Sequence, residues 1–526
     1  VGALVSKPFL FSARSWEMQQ RTGIAPHDCV GSNVEFHIRN NKVLRVVPAA
    51  NEAINEVWLS DRDRFSYEGL YAEERLLHPM VKKNGQWAEV DWSEALTVVE
   101  QGLNEARRTH GGNRIGTLAS PSVTTEEYYL LQKLMRGIGY SNIDHRLRQR
   151  DFSQPEKDGP FPWLGQAISD LETREDFLII GANPRQETPL INHRIRKACL
   201  KGGRAMVIDT GGHEFNYDLE TRLVCEPAEL ARNVAAVLKA AMEIRGGMTG
   251  EDDAFLDTME VTEQHRSIAA RLCDSGAAAL LLGESVTAHV DRTLITGLAA
   301  RLADVTGASQ GFLSAGANAA GAWLSGVVPH REAFMKECNG PALNIHEMFE
   351  NSLQAWVLYH LEPEHDCVDN ELARSALEQA EFVVAFTAFK TPGLESVADV
   401  LLPIALYAEN EGSFINVEGR VQTFAQAVKP PGEVRPGWRV LRKLGNLFAL
   451  DGFEYQAIDQ IQDEIMPAIK AITPAHGSFA RLQGRVTDVE NTDEPLRYRH
   501  MYAIDPLVRR GRALATFRHR QEQRYP

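Results

Sequence analysis

From about residue 115 onward the sequence alternates short apolar runs with helical patterns, and that alternation leaves few folds open to it. The runs are Ile115 to Leu118, Phe177 to Ile180, Ala205 to Ile208, Ala277 to Leu282, Leu353 to Tyr359 and Phe382 to Phe386. Strand-helix-strand repetition marks a largely parallel sheet covered on both faces, whose strands are apolar on both sides. In the stretch from about Glu229 to Ile244, Leu230, Val234, Val237, Leu238 and Ala241 fall on one face, as a covering helix requires. The expected class is α/β. A chain of 526 residues exceeds one compact core, so several folding units are expected at roughly 150 residues each.

The region before these runs reads differently. Residues 33–48 alternate apolar and polar around Asn40-Asn41, and Asn tolerates the positive φ of a tight hairpin turn. A second hairpin is expected at Lys83-Asn84-Gly85-Gln86. Asp91 and Glu94 then resemble a capping box, with Leu96, Val99, Leu103 and Ala106 on the buried stripe of the helix that follows. Beyond Pro430-Pro431-Gly432 the pattern is interrupted. The last stretch, Val508 to Pro526, carries Arg509, Arg510, Arg512, Arg518, Arg520 and Arg524 against one acid, Glu522. It reads as a solvated, partly disordered terminus, or as a segment that docks on an acidic surface.

Charge and cysteine usage remove whole classes of function. Fifty-six basic against 71 acidic residues give −15, which argues against nucleic-acid binding and a polybasic membrane anchor. No apolar stretch approaches the roughly 20 residues that span a bilayer. The start, Val-Gly-Ala-Leu, has no initiator Met and reads as a processing boundary with sequence missing upstream. Cys29, Cys199, Cys225, Cys273, Cys338 and Cys367 lie far apart with no Cys-x-x-Cys, which suits single buried thiols and gives no local thiolate set for a metal.

Other segments are open to two readings each. Phe177 to Arg185 ends a strand in Gly181-Ala-Asn-Pro184, where an anion could meet a helix N-terminus, but the further glycines of a dinucleotide fingerprint are absent. A plain strand-to-helix turn is the stronger account. The run Asp144 to Asp151 holds Arg146, Arg148 and Arg150, able to cradle phosphate or, more often, to form a salt-bridged surface. His346-Glu347 has Glu350 where a zinc motif needs His. Ala398 to Gln422 reads as a buried strand capped by Pro403 and a polar loop that turns at Gly412 and Gly419.

That last run, with Gly181-Ala-Asn-Pro184 and Gly139-Tyr-Ser-Asn142-Ile-Asp144, resembles the molybdopterin oxidoreductase superfamily, whose α/β bodies cradle a bis-pterin metal cofactor. Val1-Gly-Ala-Leu4, Val30-Gly-Ser-Asn33, Asn55 to Gly69 and Ile504 to Arg510 are similar to the large subunits of proton-pumping NADH:quinone oxidoreductase, respiratory complex I. The resemblance implies a multi-subdomain formate dehydrogenase/DMSO reductase-like fold with largely parallel sheets, preceded by a small β-rich unit. The implied division is residues 1–25 as the remnant of a cluster-binding module, 26–90 as the β-rich unit, 91–480 as the α/β body and 481–526 as a basic tail.

The resemblance also implies an electron relay from NADH and flavin toward quinone in the full-length subunit. Its 2Fe-2S and 4Fe-4S clusters are expected in an upstream module, and none in this chain. Where the wider superfamily holds a further cluster, the positions here read Cys29, Ser32, Phe36 and Ser60, and a four-iron cluster needs four ligands. Where it places a Cys, selenocysteine or Ser metal ligand, Arg150 stands, with no lone pair to give. No catalytic, cofactor-binding or metal residues are therefore expected. The expected partners are other peripheral-arm subunits, including the NADH- and flavin-binding one, on the cytoplasmic face of a bacterial inner membrane or the matrix side. The alternative is an active molybdenum or tungsten oxidoreductase of the formate or nitrate type.

Overall fold

The computed structural model describes residues 6–246, 253–338, 340, 342–478 and 501–515. Strands β1 (Gln19–Ile24), β2 (Asn33–Arg39) and β3 (Lys42–Pro48) make an antiparallel three-stranded sheet. Asn40 and Asn41 turn the β2–β3 hairpin with φ of +51° and +60°. Strand β1, which precedes the expected boundary at residue 25, pairs with β2 from Gln19 opposite Ile38 to Ile24 opposite Asn33. Residues 19–22 are polar and exposed, so no alternation in the sequence revealed that strand.

Strands just before the expected boundary at residue 90 pair with a strand far beyond it. Strands β4 (Met80–Lys83) and β5 (Gln86–Glu89) form the second expected hairpin, yet Met80 and Val81 pair with Leu401 and Val400 of a distant strand. The hairpin is thus the antiparallel edge of a seven-stranded sheet. The helix that follows spans Trp92–His110, its N-terminus held by the Asp91 carboxylate, which accepts the Glu94 N–H at 2.8 Å. Glu94 does not complete the box; its carboxylate pairs with Lys83 at 2.5 Å. Leu96, Val99, Leu103 and Ala106 are buried as their spacing predicts.

Strands β6 (Ile115–Ala119) and β7 (Ile143–Asp144) join the same sheet. The polypeptide then leaves it to build a second one from β8 (Asp176–Ile180), β9 (Arg204–Asp209), β10 (Leu219–Val224), β11 (Ala278–Leu282) and β12 (Ser309–Phe312). All five are parallel, in the order β10-β9-β8-β11-β12. Helices Leu230–Arg245, Glu263–Asp274 and Arg292–Thr306 cover one face through a shared apolar cluster. The polypeptide returns with β13 (Ala355–Tyr359), β14 (Phe382–Thr387) and β15 (Val400–Pro403), giving the order β5-β4-β15-β14-β13-β6-β7. The five-stranded sheet is therefore an insertion between β7 and β13.

The expected polar loop after Pro403 holds a hairpin, its first strand β16 (Gly412–Ile415) buried and its second β17 (Val421–Phe424) partly exposed. Glu126 fixes it to the helix Thr125–Gly137, accepting the Ser413 N–H and hydroxyl at 2.9 Å each. Gly419 turns it with φ +85°. Residues 501–515 are not a solvated tail: Leu507, Val508 and Leu514 are buried, and the Leu507 backbone runs so close to Gly69 that a Cβ there would meet its carbonyl at 2.7 Å. Arg518, Arg520, Glu522 and Arg524 lie outside the described residues.

Candidate functional site

The two sheets turn the carboxyl ends of their parallel strands toward one crevice, the place where open α/β sheets bind ligands. Ser120 to Ser122 follow β6, His145 to Gln149 follow β7, Glu284 follows β11, Ser314 follows β12, and His360 and Ala405 follow β13 and β15. Ile504 to Leu507 and His27 close another side. The cavity between them is about 160 Å³ and mostly apolar in lining, with Trp323, Phe312 and Phe414 among its walls.

The basic run lies along this crevice rather than on the surface. Each of its arginines has a carboxylate partner: Arg146 forks onto Asp144 with two bonds of 2.8 Å, Arg148 pairs with Glu284, and Arg150 reaches Asp369 at 2.6 Å. Arg146 also lies over Phe152 and Trp323, 4.6 and 5.3 Å from the ring centroids. Burial would raise the Asp144 carboxyl, but the Arg146 guanidinium outweighs it and holds the group below its ordinary range. The salt-bridged reading of this run is right about the pairs, but Asp144 and Glu284 are buried and Asp369 is half-buried rather than on an open surface.

Gly181, at φ +55°, makes the strand-to-helix turn after β8, and the short helix Pro184–Glu187 follows it, then the helix Pro189–Leu200. The N–H groups an anion would have used are taken by the protein itself. The Glu187 carboxylate accepts from Asn183 N at 2.7 Å and from Glu284 N at 3.4 Å. Burial, then the nearby Glu284, push its carboxyl up to about 8, and burial lifts Asp209 to about 7. His346 and Glu347 are not among the residues that line the cavity; His346 is 3.4 Å from Glu350, and Glu347 accepts from Asn344 N.

Sequence reasoning missed the ties that close the crevice. His27 is buried, with Nδ1 2.7 Å from the Asp505 carboxylate and Nε2 2.6 Å from the Ser66 hydroxyl. Arg509 and Arg510 hold the buried Glu362 at 2.5 and 2.8 Å. Glu362, Glu364 and His365 bring ligand atoms within 4.8 Å of one another, but these arginines already neutralise Glu362. Asn318, wholly buried, gives its amide to Val123 O at 2.7 Å and accepts Ile415 N at 2.7 Å. Nothing local in the sequence marks these groups, since their partners are brought in from distant parts of the polypeptide.

The four positions of the expected lost cluster sit in ordinary structure. Cys29 is buried and its thiol is pushed up to about 12 by burial, with Asp28 adding to it. Ser32 is buried, Phe36 packs in the core of the small sheet, and the Ser60 hydroxyl caps the helix Asp61–Phe65.

Two family models match the sequence: molybdopterin oxidoreductase over residues 75–447, and the NADH-ubiquinone oxidoreductase NDSU1/NuoG-like 4Fe-4S domain over 19–68. Among curated relatives, the NADH-ubiquinone oxidoreductase 75 kDa subunit of Reclinomonas americana is 27 % identical over 85 % of this chain and 60 % of its own length. An NADH-quinone oxidoreductase subunit of Rickettsia typhi is 26 % identical over 86 % of this chain and 58 % of its own. The mitochondrial 78 kDa subunit of Candida albicans NADH-ubiquinone oxidoreductase is 28 % identical over 84 % and 54 %. The chain thus spans less than two thirds of the length of these relatives. In fold it is similar to acetylene hydratase from Pelobacter acetylenicus, at a TM-score of 0.63 and 12 % identity, over 86 % of this chain and 72 % of that one.

The 4Fe-4S domain match corrects the expectation that no cofactor belongs to this chain. The donors within 19–68 do not make the four-thiolate set that holds such a cluster, because Cys29 is the one cysteine there. The pterin fares no better: 160 Å³ is below the roughly 300 to 1,000 Å³ of ordinary ligand pockets, and Arg150 is committed to Asp369.

Proposed function

The chain belongs to the molybdopterin oxidoreductase family, and on that footing we propose that it is the structural body of the large subunit of an NADH:quinone oxidoreductase. In this reading the full-length subunit relays electrons from NADH and flavin toward quinone. The body packs against other peripheral-arm subunits, the NADH- and flavin-binding one among them. None of its own side chains is catalytic, and the assembly sits on the cytoplasmic face of the inner membrane or on the matrix side. Among the described residues no helix is long and apolar enough to cross a membrane.

The observation that carries the reading is the filled crevice. Arg148–Glu284 lines it with the protein's own atoms at the strand ends where open α/β sheets hold ligands, Arg150–Asp369 and the Glu187 carboxylate lie on the segments that follow β7 and β8, and the space left is about 160 Å³. The likeness to the subunits named above supplies the partner class. Purification of the native assembly through this chain tests it. NADH-oxidising, flavin-bearing subunits should co-purify, and depleting the chain should abolish NADH:quinone electron transfer. Isolation of the chain with bound pterin, molybdenum or tungsten and a formate- or nitrate-linked activity would overturn the proposal.

A further inference from the structure

The arginines of the crevice are answered by carboxylates, but those of a second, open groove are not. This groove, of about 830 Å³, is lined by the helix Trp92–His110, the helix Gly437–Leu447 and the segment that leads into the latter. Arg435, Arg439, Arg442 and Lys443 line it against one acid, Glu411, on a chain whose net charge is −15. Arg435, Arg439 and Lys443 are exposed and Arg442 is half-buried. No carboxylate among the described residues pairs with any of the four.

Stacking and a backbone carbonyl hold these side chains instead of counter-charges. Arg435 lies over the Trp92 ring and Arg439 over the Trp438 ring, 4.8 and 4.7 Å from the centroids. Arg442 gives Nη1 to the Tyr455 carbonyl at 2.8 Å. A guanidinium stacked on a ring face keeps its edge N–H donors free for a planar carboxylate. Its position is fixed while its charge stays unused, which lowers the ordering cost of binding an anion. The rest of the groove is apolar, with Leu96, Pro430, Val434 and Pro436 in its wall.

Charge complementarity calls for an anionic occupant, and the surroundings limit its shape. Next to the groove, Glu89, Asp91 and Glu433 line an adjoining hollow. A long polyanion such as RNA, or a flat anionic membrane, would have to cross these carboxylates, whereas a short segment seated in the groove does not. Alternate residues of an extended chain stand about 7 Å apart on one side. That matches the spacing of about 6 Å between side chains one helical turn apart, as Arg439 and Lys443 are. The intervening residues of such a chain point the other way, toward the apolar wall.

We propose that this groove docks a short extended segment of a partner protein in which acidic and apolar residues alternate, its carboxylates on Arg435, Arg439 and Lys443. The surface stands on the chain's own side chains and does not depend on which assembly the chain serves in.

Fluorescence anisotropy of a labelled Glu-Leu-Glu-Val-Glu peptide titrated with the purified protein at low salt tests the proposal. The peptide should bind saturably and more tightly than single-stranded RNA or vesicles of phosphatidylserine and phosphatidylcholine. Reversing two exposed, unpaired cations in the double variant Arg439→Glu, Lys443→Glu should weaken peptide binding by about tenfold or more. Arg301→Glu with Lys470→Glu changes the net charge equally at exposed positions outside the groove, and it should leave binding within about twofold. Absence of saturable peptide binding, tighter binding of RNA or vesicles, an undisturbed affinity in the groove variant, or an equal loss in the control variant would each overturn the proposal.

Discussion

Arg62 shows how a single side chain can join parts of the fold that the sequence keeps apart. It has no exposed surface, and its Nη2 reaches both Asp28 at 2.9 Å and the Glu187 carbonyl at 2.8 Å. The small β unit is thereby tied to the turn that follows β8. Burial lifts the Asp28 carboxyl to about 6 against the pull of Arg62, so removing the guanidinium leaves an acid without its counter-charge in a buried setting. Arg62→Met should cost about 3 to 5 kcal/mol in urea unfolding, and adding Asp28→Asn should return part of it. Strict additivity of the two changes would show that the pair is not coupled. A steric counterpart lies at β12, where a Cβ on Gly311 would stand 2.3 Å from the Leu164 carbonyl oxygen. Gly311→Ala should lower stability by about 1 to 3 kcal/mol, and an unchanged urea midpoint would mean the backbone there yields freely.

Elements differ in how much of themselves they write into the sequence. The helix Trp92–His110 was legible because its cap and its apolar stripe are both local. Segment 501–515 was not, because what orders it is two buried ion-pair sets reaching back to His27 and Glu362. Those sets respond to pH in opposite directions. For His27, burial lowers the pKa but Asp505 outweighs it and the net shift is upward from 6.5; this contribution is complete below about 6.5 and fades as pH rises through the raised value. For Glu362, burial is overcome by Arg509 and Arg510 and the net shift is downward from 4.5; this contribution is complete above about 4.5 and fades as pH falls through the lowered value. The stability difference between the protein and its His27→Gln variant should therefore be largest near about pH 5.5 and shrink toward about pH 8.5. Urea midpoints across that range decide it, and a difference that stays flat or grows with pH would contradict the assignment.

At the scale of the molecule, the strands that are short apolar runs could be read one by one, but β7 (Ile-Asp) and β12 (Ser-Gln-Gly-Phe) offer no such run, and the sorting into two sheets could not be read at all. Sheet membership is set by pairings such as Met80 with Leu401 and Ile115 with Ala355, and no periodicity reports on partners hundreds of positions away. The crevice was illegible for the same reason, being made where strand ends of both sheets meet. This topology also predicts an order of folding. In the inserted sheet Asp176 pairs with Arg204, 28 positions on, and Ala279 with Ser309, 30 positions on. The outer sheet must bring Ile115 to Ala355, 240 positions away, across the whole insertion. Closing a loop about eightfold longer adds about 2 kcal/mol of entropy cost before any contact rewards it, and a structured insertion would shorten the effective loop. The inserted sheet should therefore gain protection first. Pulsed hydrogen exchange during refolding from urea should find the amides of Ile179, Val207 and Leu281 protected before those of Leu358, Phe386 and Leu401. Simultaneous protection of the two sets would mean that the sheets form in one cooperative step.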